Sequence, residues 1–324
     1  MKTLFYPGCS MQRSARPYLD SLYAIQEDLD LELEEVEDWN CCGATEYMSI
    51  SRLPAFSLIG RNLALAQQQV NGDASLLAAC SACYLNLAKT DHYMLEDTVL
   101  GQDINTALEA GGLHYDPGSI EVRHLLDVIM NDIGMDRIAE LVTHPLSGLR
   151  VAAYYGCMIV RPDLDQRWDD PEYPSALESL MSTLGAEAID FPLKTHCCGG
   201  HMTQISPPTA FELIRRLVHG AAQYEADVLV TVCPMCQLNL DAYQVEMNKH
   251  FRTDYEIPIL FVTQLMGLAF GKDPEELGLG REFIDSGPAL EKIGVETSDE
   301  SGEPRKKRKK EEGLPMPPMV GGVR

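Results

Sequence analysis

The chain has 324 residues, enough to bury two cores, and its 49 acidic against 26 basic side chains give a formal charge of −23. A broad nucleic-acid face is excluded, because phosphate binding needs a basic surface; the charge reads as solubility, or as steering of a basic partner. No run of 18 apolar residues occurs and Met1–Gly8 holds too short an apolar stretch for a signal peptide, so a soluble cytoplasmic protein with no transmembrane segment is expected.

Thr3–Tyr6 reads as a buried strand ended by Pro7-Gly8, which delivers Cys9 at its tip. An amphipathic helix from about Arg16 to Gln26 and a half-buried strand from Leu31 to Val36 lead to Cys41-Cys42. Phe56, Ile59, Leu63, Ala66 and Val70 then mark one face of a helix that Asn71-Gly72-Asp73 stops. Leu76–Ala79 is a short strand, after which Cys80-Ser81-Ala82-Cys83 opens a helix. Residues 101–118 read as loop, with Gly111-Gly112 and Asp116-Pro117-Gly118, and a helical pattern returns from Ile120 to about Leu141.

From Leu149 the order replays: strand to Tyr155, then Gly156-Cys157; helix Pro174–Leu184; strand Ala186–Phe191, then Cys197-Cys198. A helix on Phe211, Ile214, Val218 and Ala221, a strand Val228–Val232, and Cys233-Pro234-Met235-Cys236 follow. Pro258–Val262 is the last strand, with a short helix to about Gly271. Cys9 and Cys157 lie 148 residues apart, Cys42 and Cys198 156, and both C-x-x-C cysteines recur at 153. One unit has been duplicated. The expected fold is α/β, with units 1–145 and 146–295, each a small, mostly parallel sheet flanked by helices, and a disordered tail 296–324 with six consecutive cations from Arg305 to Lys310.

All ten cysteines fall into two fives: Cys9, Cys41, Cys42, Cys80, Cys83, and Cys157, Cys197, Cys198, Cys233, Cys236. In a reducing compartment such clusters mean metal or redox chemistry before disulfides. In a parallel sheet ligands gather at the carboxyl ends of strands, which brings each five to one edge. The C-x-x-C at each helix start favours thiolate, and the glycines beside the cysteines let backbone approach bulky inorganic atoms. Zinc and cubane iron–sulfur sites take four thiolates. The fifth thiol leans the reading to iron–sulfur, and zinc stays open.

Two copies of C…C-C-G…C-x-x-C resemble the tandem cysteine-rich CCG domains of the heterodisulfide reductase B-subunit family, including members from sulfur-oxidising heterodisulfide-reductase-like complexes. The match spans residues 1 to about 280 and carries Tyr6-Pro7-Gly8-Cys9, Asn40-Cys41-Cys42-Gly43, Tyr155-Gly156-Cys157 and His196-Cys197-Cys198-Gly199-Gly200. It implies two noncubane [4Fe-4S] clusters, one per five-cysteine set. It further implies thiol/disulfide or carrier-bound sulfur redox chemistry, with a ferredoxin-like subunit and a flavin-containing subunit as partners. A small disulfide or lipoate-type carrier is the substrate so implied. Related proteins serve lactate, glycolate, glycerol-3-phosphate or succinate oxidoreductases as electron-transfer subunits, and that alternative stays open beside a zinc-binding structural role.

His196 and His201 bracket the second cysteine pair and are candidate proton donors or hydrogen-bond partners of the site. The other histidines show no ligand spacing and are assigned no role. Lys194 reads as a solvated strand-end lysine, and Asn86 and Asn239, in equivalent Cys-x-Leu-Asn-Leu segments, as makers of structural bonds. No glycine-rich phosphate loop appears, so flavin belongs on a partner.

Overall fold

The computed structural model describes residues 2–44, 47–70, 74–162, 164 and 169–295. Its eight strands are β1 (Lys2–Tyr6), β2 (Glu32–Glu35), β3 (Ala74–Ala78), β4 (Ile120–His124), β5 (Arg150–Tyr154), β6 (Glu187–Ile189), β7 (Val228–Thr231) and β8 (Ile259–Phe261). They form two four-stranded sheets of the same order, β2-β1-β3-β4 and β6-β5-β7-β8, with every pair parallel. The duplication is thus complete at the level of topology.

Helices cover both faces of each sheet, so strand residues of both parities are buried. Leu4, Tyr6 and Leu76 point into one apolar cluster together with Ala152, Tyr154 and Leu229 of the second unit. Phe5 and Leu77 point into the other, with Val151, Ala153 and Val230. The two cores therefore each run through both units, where sequence length suggests one core per unit. The helix Arg16–Ile25 of the first unit packs on Val262–Ala269 of the second. Between them Tyr18 stacks on Phe261 with ring centroids 4.4 Å apart, and the Ser21 and Thr263 hydroxyls meet at 2.6 Å. An aromatic pair of this kind is worth ~0.5–1.5 kcal/mol beyond the area it buries.

Two expectations are overturned. Residues within 101–118 are not all loop: Thr98–Glu109 is a helix, capped by the Asp97 carboxylate, which accepts from Leu100 N at 3.1 Å. Its inward face is Gly101, Ile104 and Leu108, and a glycine in that stripe weakens the apolar period. Nor is Ile120–Leu141 helical throughout. Ile120, Val122 and His124 alternate inward as β4, and helix begins only at Leu125. An apolar run shared by a strand and the helix after it hides the change of period. The helix after Cys42 ends at Gln69; Asn71–Asp73, expected to stop it, and the expected disordered tail 296–324 lie outside the described residues. No helix among the described residues is long and apolar enough to cross a membrane.

Candidate metal centre

Parallel pairing aligns the carboxyl ends of β2, β1 and β3, and each end releases part of the first cysteine set. After β1 the backbone turns at Gly8 (φ +71°) into the short helix Gly8–Met11, which carries Cys9. After β2 comes the loop with Cys41 and Cys42. After β3, Cys80 is the N-cap of helix Ser81–Glu96 and Cys83 sits in its first turn. The second set repeats this: Gly156 (φ +70°) before Cys157, then Cys197 and Cys198, then Cys233 as N-cap of helix Pro234–Asp241. Pro234 opens that helix, where no N–H is needed.

The five sulfurs of each set come together. Cys9 Sγ lies 3.3 Å from Cys41 Sγ, and Cys42 Sγ 3.4 Å from Cys83 Sγ. Cys41 Sγ also accepts from Gly43 N at 3.4 Å, as Cys197 Sγ does from Gly199 N at 3.3 Å. In the second set Cys157 pairs with Cys197 and Cys198 with Cys236. Each pocket is graded from water to core: Cys9, Cys41 and Cys197 are exposed and Cys157 half-buried, while Cys42, Cys80, Cys83, Cys198, Cys233 and Cys236 are buried. The two pockets meet, because the Cys80 thiol faces the Cys233 thiol across the seam between units.

Crowding sets the protonation pattern. Cys41 accepts from Cys42 and Cys9 and is held far below the usual thiol range. Cys197, which accepts from Cys157, falls to about 6. Cys80 is likewise lowered, by Cys233 first and then Cys83. Their donors move the other way: the bond to Cys41 raises Cys42 to about 12 and raises Cys9, and the bond to Cys42 raises Cys83. A thiolate sharing neighbours' protons in a half-buried pocket is a ready ligand for a cation. Among the described residues, no three His, Cys, Asp or Glu side chains are arranged about one point as ligands of a single ion.

Two matched hydrogen bonds hold each doubled cysteine from either side. Tyr6 donates its hydroxyl to Asn40 O at 2.6 Å, and Tyr154 donates to His196 O at 2.7 Å, in both cases the carbonyl just before the pair. Each ring also faces the sulfurs of its own set, which together with burial pushes the phenol up. From the C-x-x-C helix, Asn86 donates to Cys42 O at 3.0 Å, and Asn239 to Gly200 O at 2.8 Å and Cys198 Sγ at 3.5 Å. These tyrosines were missed as site residues; the signal was their identical place two residues before each glycine-cysteine.

The approach of backbone to sulfur tests what the pockets suit. A Cβ on Gly8 would stand 2.8 Å from Cys83 Sγ, and one on Gly156 2.8 Å from Cys236 Sγ. Both positions thus exclude every side chain by space as well as by φ. Five soft donors per pocket, kept free of side-chain bulk, fit an iron–sulfur cluster.

His196 is exposed and contributes its carbonyl to Tyr154; His201 is half-buried and is the N-cap of Met202–Ile205. Lys194 departs from expectation. Only 3% exposed, it donates to Pro174 O and, at 2.7 Å, to Glu178 Oε1, with the Tyr173 ring 3.7 Å from its ammonium. A buried ammonium needs such partners, and Tyr155 donates to the second Glu178 oxygen.

A family model described as a cysteine-rich domain, CCG, matches residues 3–88 and 151–241. The chain is 34% identical over 282 residues to the 8-methylmenaquinol:fumarate reductase membrane anchor subunit of Wolinella succinogenes, covering 87% of this chain and 96% of that one. It is 29% identical over 268 residues to the B subunit of the ferredoxin:CoB-CoM heterodisulfide reductase of Methanosarcina mazei, covering 82% and 88%. A protein of Archaeoglobus profundus, named as like the heterodisulfide reductase B subunit, is 29% identical over 83% of this chain and 91% of its own length. In fold the chain resembles a hypothetical protein from Helicobacter pylori, with a TM-score of 0.68 and 16% identity, over 88% of this chain and 52% of that one, so it spans about half of that structure. With both repeats matched, each around one five-cysteine set, the chain belongs to the cysteine-rich CCG domain family, in the tandem form that it shares with the heterodisulfide reductase B subunit.

Proposed function

We propose that the protein is an iron–sulfur oxidoreductase subunit of a heterodisulfide-reductase-type complex, holding two noncubane [4Fe-4S] clusters. Cys9, Cys41, Cys42, Cys80 and Cys83 would hold one, and Cys157, Cys197, Cys198, Cys233 and Cys236 the other. Such clusters supply one-electron exchange and iron to which a thiol or disulfide sulfur binds. The observation that carries the reading is that the two five-sulfur pockets share a boundary at Cys80 and Cys233. Splitting a disulfide takes two electrons, and one-electron centres set side by side suit that task.

The chain's own residues then bind, orient and protonate. Tyr6, Tyr154, Asn86 and Asn239 fix the doubled-cysteine loops, and Gly8 and Gly156 keep space beside sulfur. His196, exposed beside Cys197, and His201 stand where a departing thiolate would need a proton. Electrons would come from a ferredoxin-like subunit, itself served by a flavin-containing one, in the cytoplasm. The substrate would be a small disulfide or a lipoate-type sulfur carrier.

A second reading is favoured by the Wolinella relative, whose name places it in a fumarate reductase. Here the same clusters would pass electrons and meet no disulfide. Anaerobic preparation decides the first question: about eight irons and eight acid-labile sulfides per chain are expected. Zinc near two per chain without sulfide would overturn the iron–sulfur reading. Disulfide binding to the isolated, cluster-loaded protein separates the two readings, since the electron-transfer form predicts none.

A further inference from the structure

We infer that His124 is a positioning residue that clamps the two C-x-x-C strand ends together and so sets the contact between Cys80 and Cys233. The part of this concerning communication between clusters rests on the proposed function; the clamp itself does not.

His124 is the last residue of β4, paired in register with Ala78 of β3, and its ring is fully buried. Nδ1 accepts from Leu126 N at 3.0 Å, capping the helix that begins at Leu125. That bond fixes the neutral tautomer with hydrogen on Nε2. The ring faces two carbonyls, Ala79 O and Val232 O. These belong to the residues immediately before Cys80 and Cys233, one in each unit. Burial keeps the imidazole neutral, so it donates without bringing a charge into the seam. Tyr84 packs its ring edge-on at 5.5 Å and leaves little room to turn.

Other bonds reach the same two carbonyls. Tyr18 donates to Ala79 O at 2.9 Å, and Ser81 Oγ, from the first unit, to Val232 O at 3.3 Å. The duplication breaks here. Phe261 is opposite Thr231 as His124 is opposite Ala78, and a phenyl ring has no hydrogen to donate. The imidazole clamp is therefore made from one side of the seam alone. A histidine needed only as a cap would use Nδ1; the other edge of this ring lies against both units at the point where the two sulfur pockets touch.

Two substitutions separate the two edges of the ring. H124N keeps an acceptor near Nδ1 and loses the distant donor; H124Q places an amide donor near Nε2 and loses the cap. Each full-length protein, stripped of metal, is treated with diamide, which takes two electrons and two protons from a thiol pair to leave a disulfide. Peptide mapping then gives the ratio of Cys80 joined to Cys233 over Cys80 joined to Cys83. The clamp predicts a ratio in H124Q like that of wild type and one about two- to tenfold lower in H124N, the range for one net hydrogen bond. In cluster-loaded protein, H124N should shift the electron paramagnetic resonance signals of both halves while iron content holds. A cap-only histidine gives the reverse order, and equal ratios in all three proteins, or equal losses in both variants, likewise overturn the clamp. A wild-type protein that takes up no iron would defeat the cluster reading and leave the disulfide ratio to judge His124.

Discussion

Cys80 and Cys233, separated by 153 residues of sequence, face each other across the seam between the two units, each buried and each also beside the second cysteine of its own C-x-x-C. Cys9 has no such neighbour in the other half; its sulfur contact is Cys41. The two positions should therefore answer differently to the same substitution. Cys9→Ser is expected to alter the spectrum of the first half alone. Cys80→Ser should disturb both, with iron loss beginning in the first. Electron paramagnetic resonance of each reduced variant, with iron counted per chain, checks this, and a Cys80→Ser protein with an unaltered second half would contradict it.

That relationship marks the limit of what the sequence made legible. Repeat spacing and alternating strand and helix located both sheets and both cysteine sets, because each is a local pattern tied to a chain position. Which thiols meet between units depends on how two sheets pack, and no periodicity encodes it. The same holds for His124, whose single-letter context shows no ligand spacing yet whose ring lies at the seam. Lys194 misled for a related reason: a strand-end lysine is ordinarily solvated, and its partner Glu178 comes from a helix 16 residues earlier. Asn86 and Asn239 were visible as a matched pair, but only the structure supplies the doubled-cysteine backbone as what they bind.

Gly8→Ala and Gly156→Ala test the cradle. Each adds a Cβ at 2.8 Å from a cysteine sulfur, at a φ that L-residues avoid. Strain of roughly 1 kcal/mol or more is expected from the backbone alone. The steric push falls on Cys83 or Cys236, so iron uptake should drop in the substituted half. Iron per chain and the thermal midpoint of the metal-free protein are the measurements; normal iron with a normal midpoint would show that the sulfur yields easily.

Tyr6→Phe and Tyr154→Phe remove one hydroxyl each and leave the ring. The carbonyl of Asn40 or His196 then loses its donor, at a cost of about 0.5–1.5 kcal/mol. Asn40 is also held through its backbone N–H by Asn62 Oδ1 at 2.8 Å and through its side chain by Leu58 O at 2.9 Å, supports that involve no counterpart bond at His196. Tyr154→Phe should therefore loosen its doubled-cysteine loop more than Tyr6→Phe does. Hydrogen exchange of the two loops compares them directly.

Burial lowers His124 to about 3, with the Asp127 carboxylate opposing the shift. The unfolded chain takes up a proton near the ordinary histidine value of about 6.5, whereas the folded chain does not. Stability is thus full above that value and falls as pH drops through the window from about 6.5 to about 3. Between pH 7.5 and 5.5 the loss from this one group is ~1.4 kcal/mol. Urea unfolding of the metal-free protein at both pH values should show it, and H124Q should show that much less dependence on pH. An unchanged difference would mean that the folded ring accepts a proton as readily as the unfolded one.

The ion pair behind the second pocket gives the largest expected stability effect. Lys194 Nζ and Glu178 Oε1 are 2.7 Å apart, with side-chain exposures of 4% and 18%. The Lys194 carbonyl in turn accepts from Tyr155 N at 2.9 Å and Gly156 N at 3.1 Å, so the residue also holds the turn that delivers Cys157. Lys194→Met leaves that backbone in place but strands a carboxylate in a mostly apolar site. A loss of about 3 kcal/mol is expected, because removing one partner of a buried pair exposes the desolvation cost of the other. Adding Glu178→Gln removes the stranded charge and should restore much of the loss, since the amide can still accept from Tyr155. Urea midpoints of the single and double variants decide it: a double variant no more stable than Lys194→Met would place the cost in lost packing against Tyr173 and Tyr155 instead of in the charge.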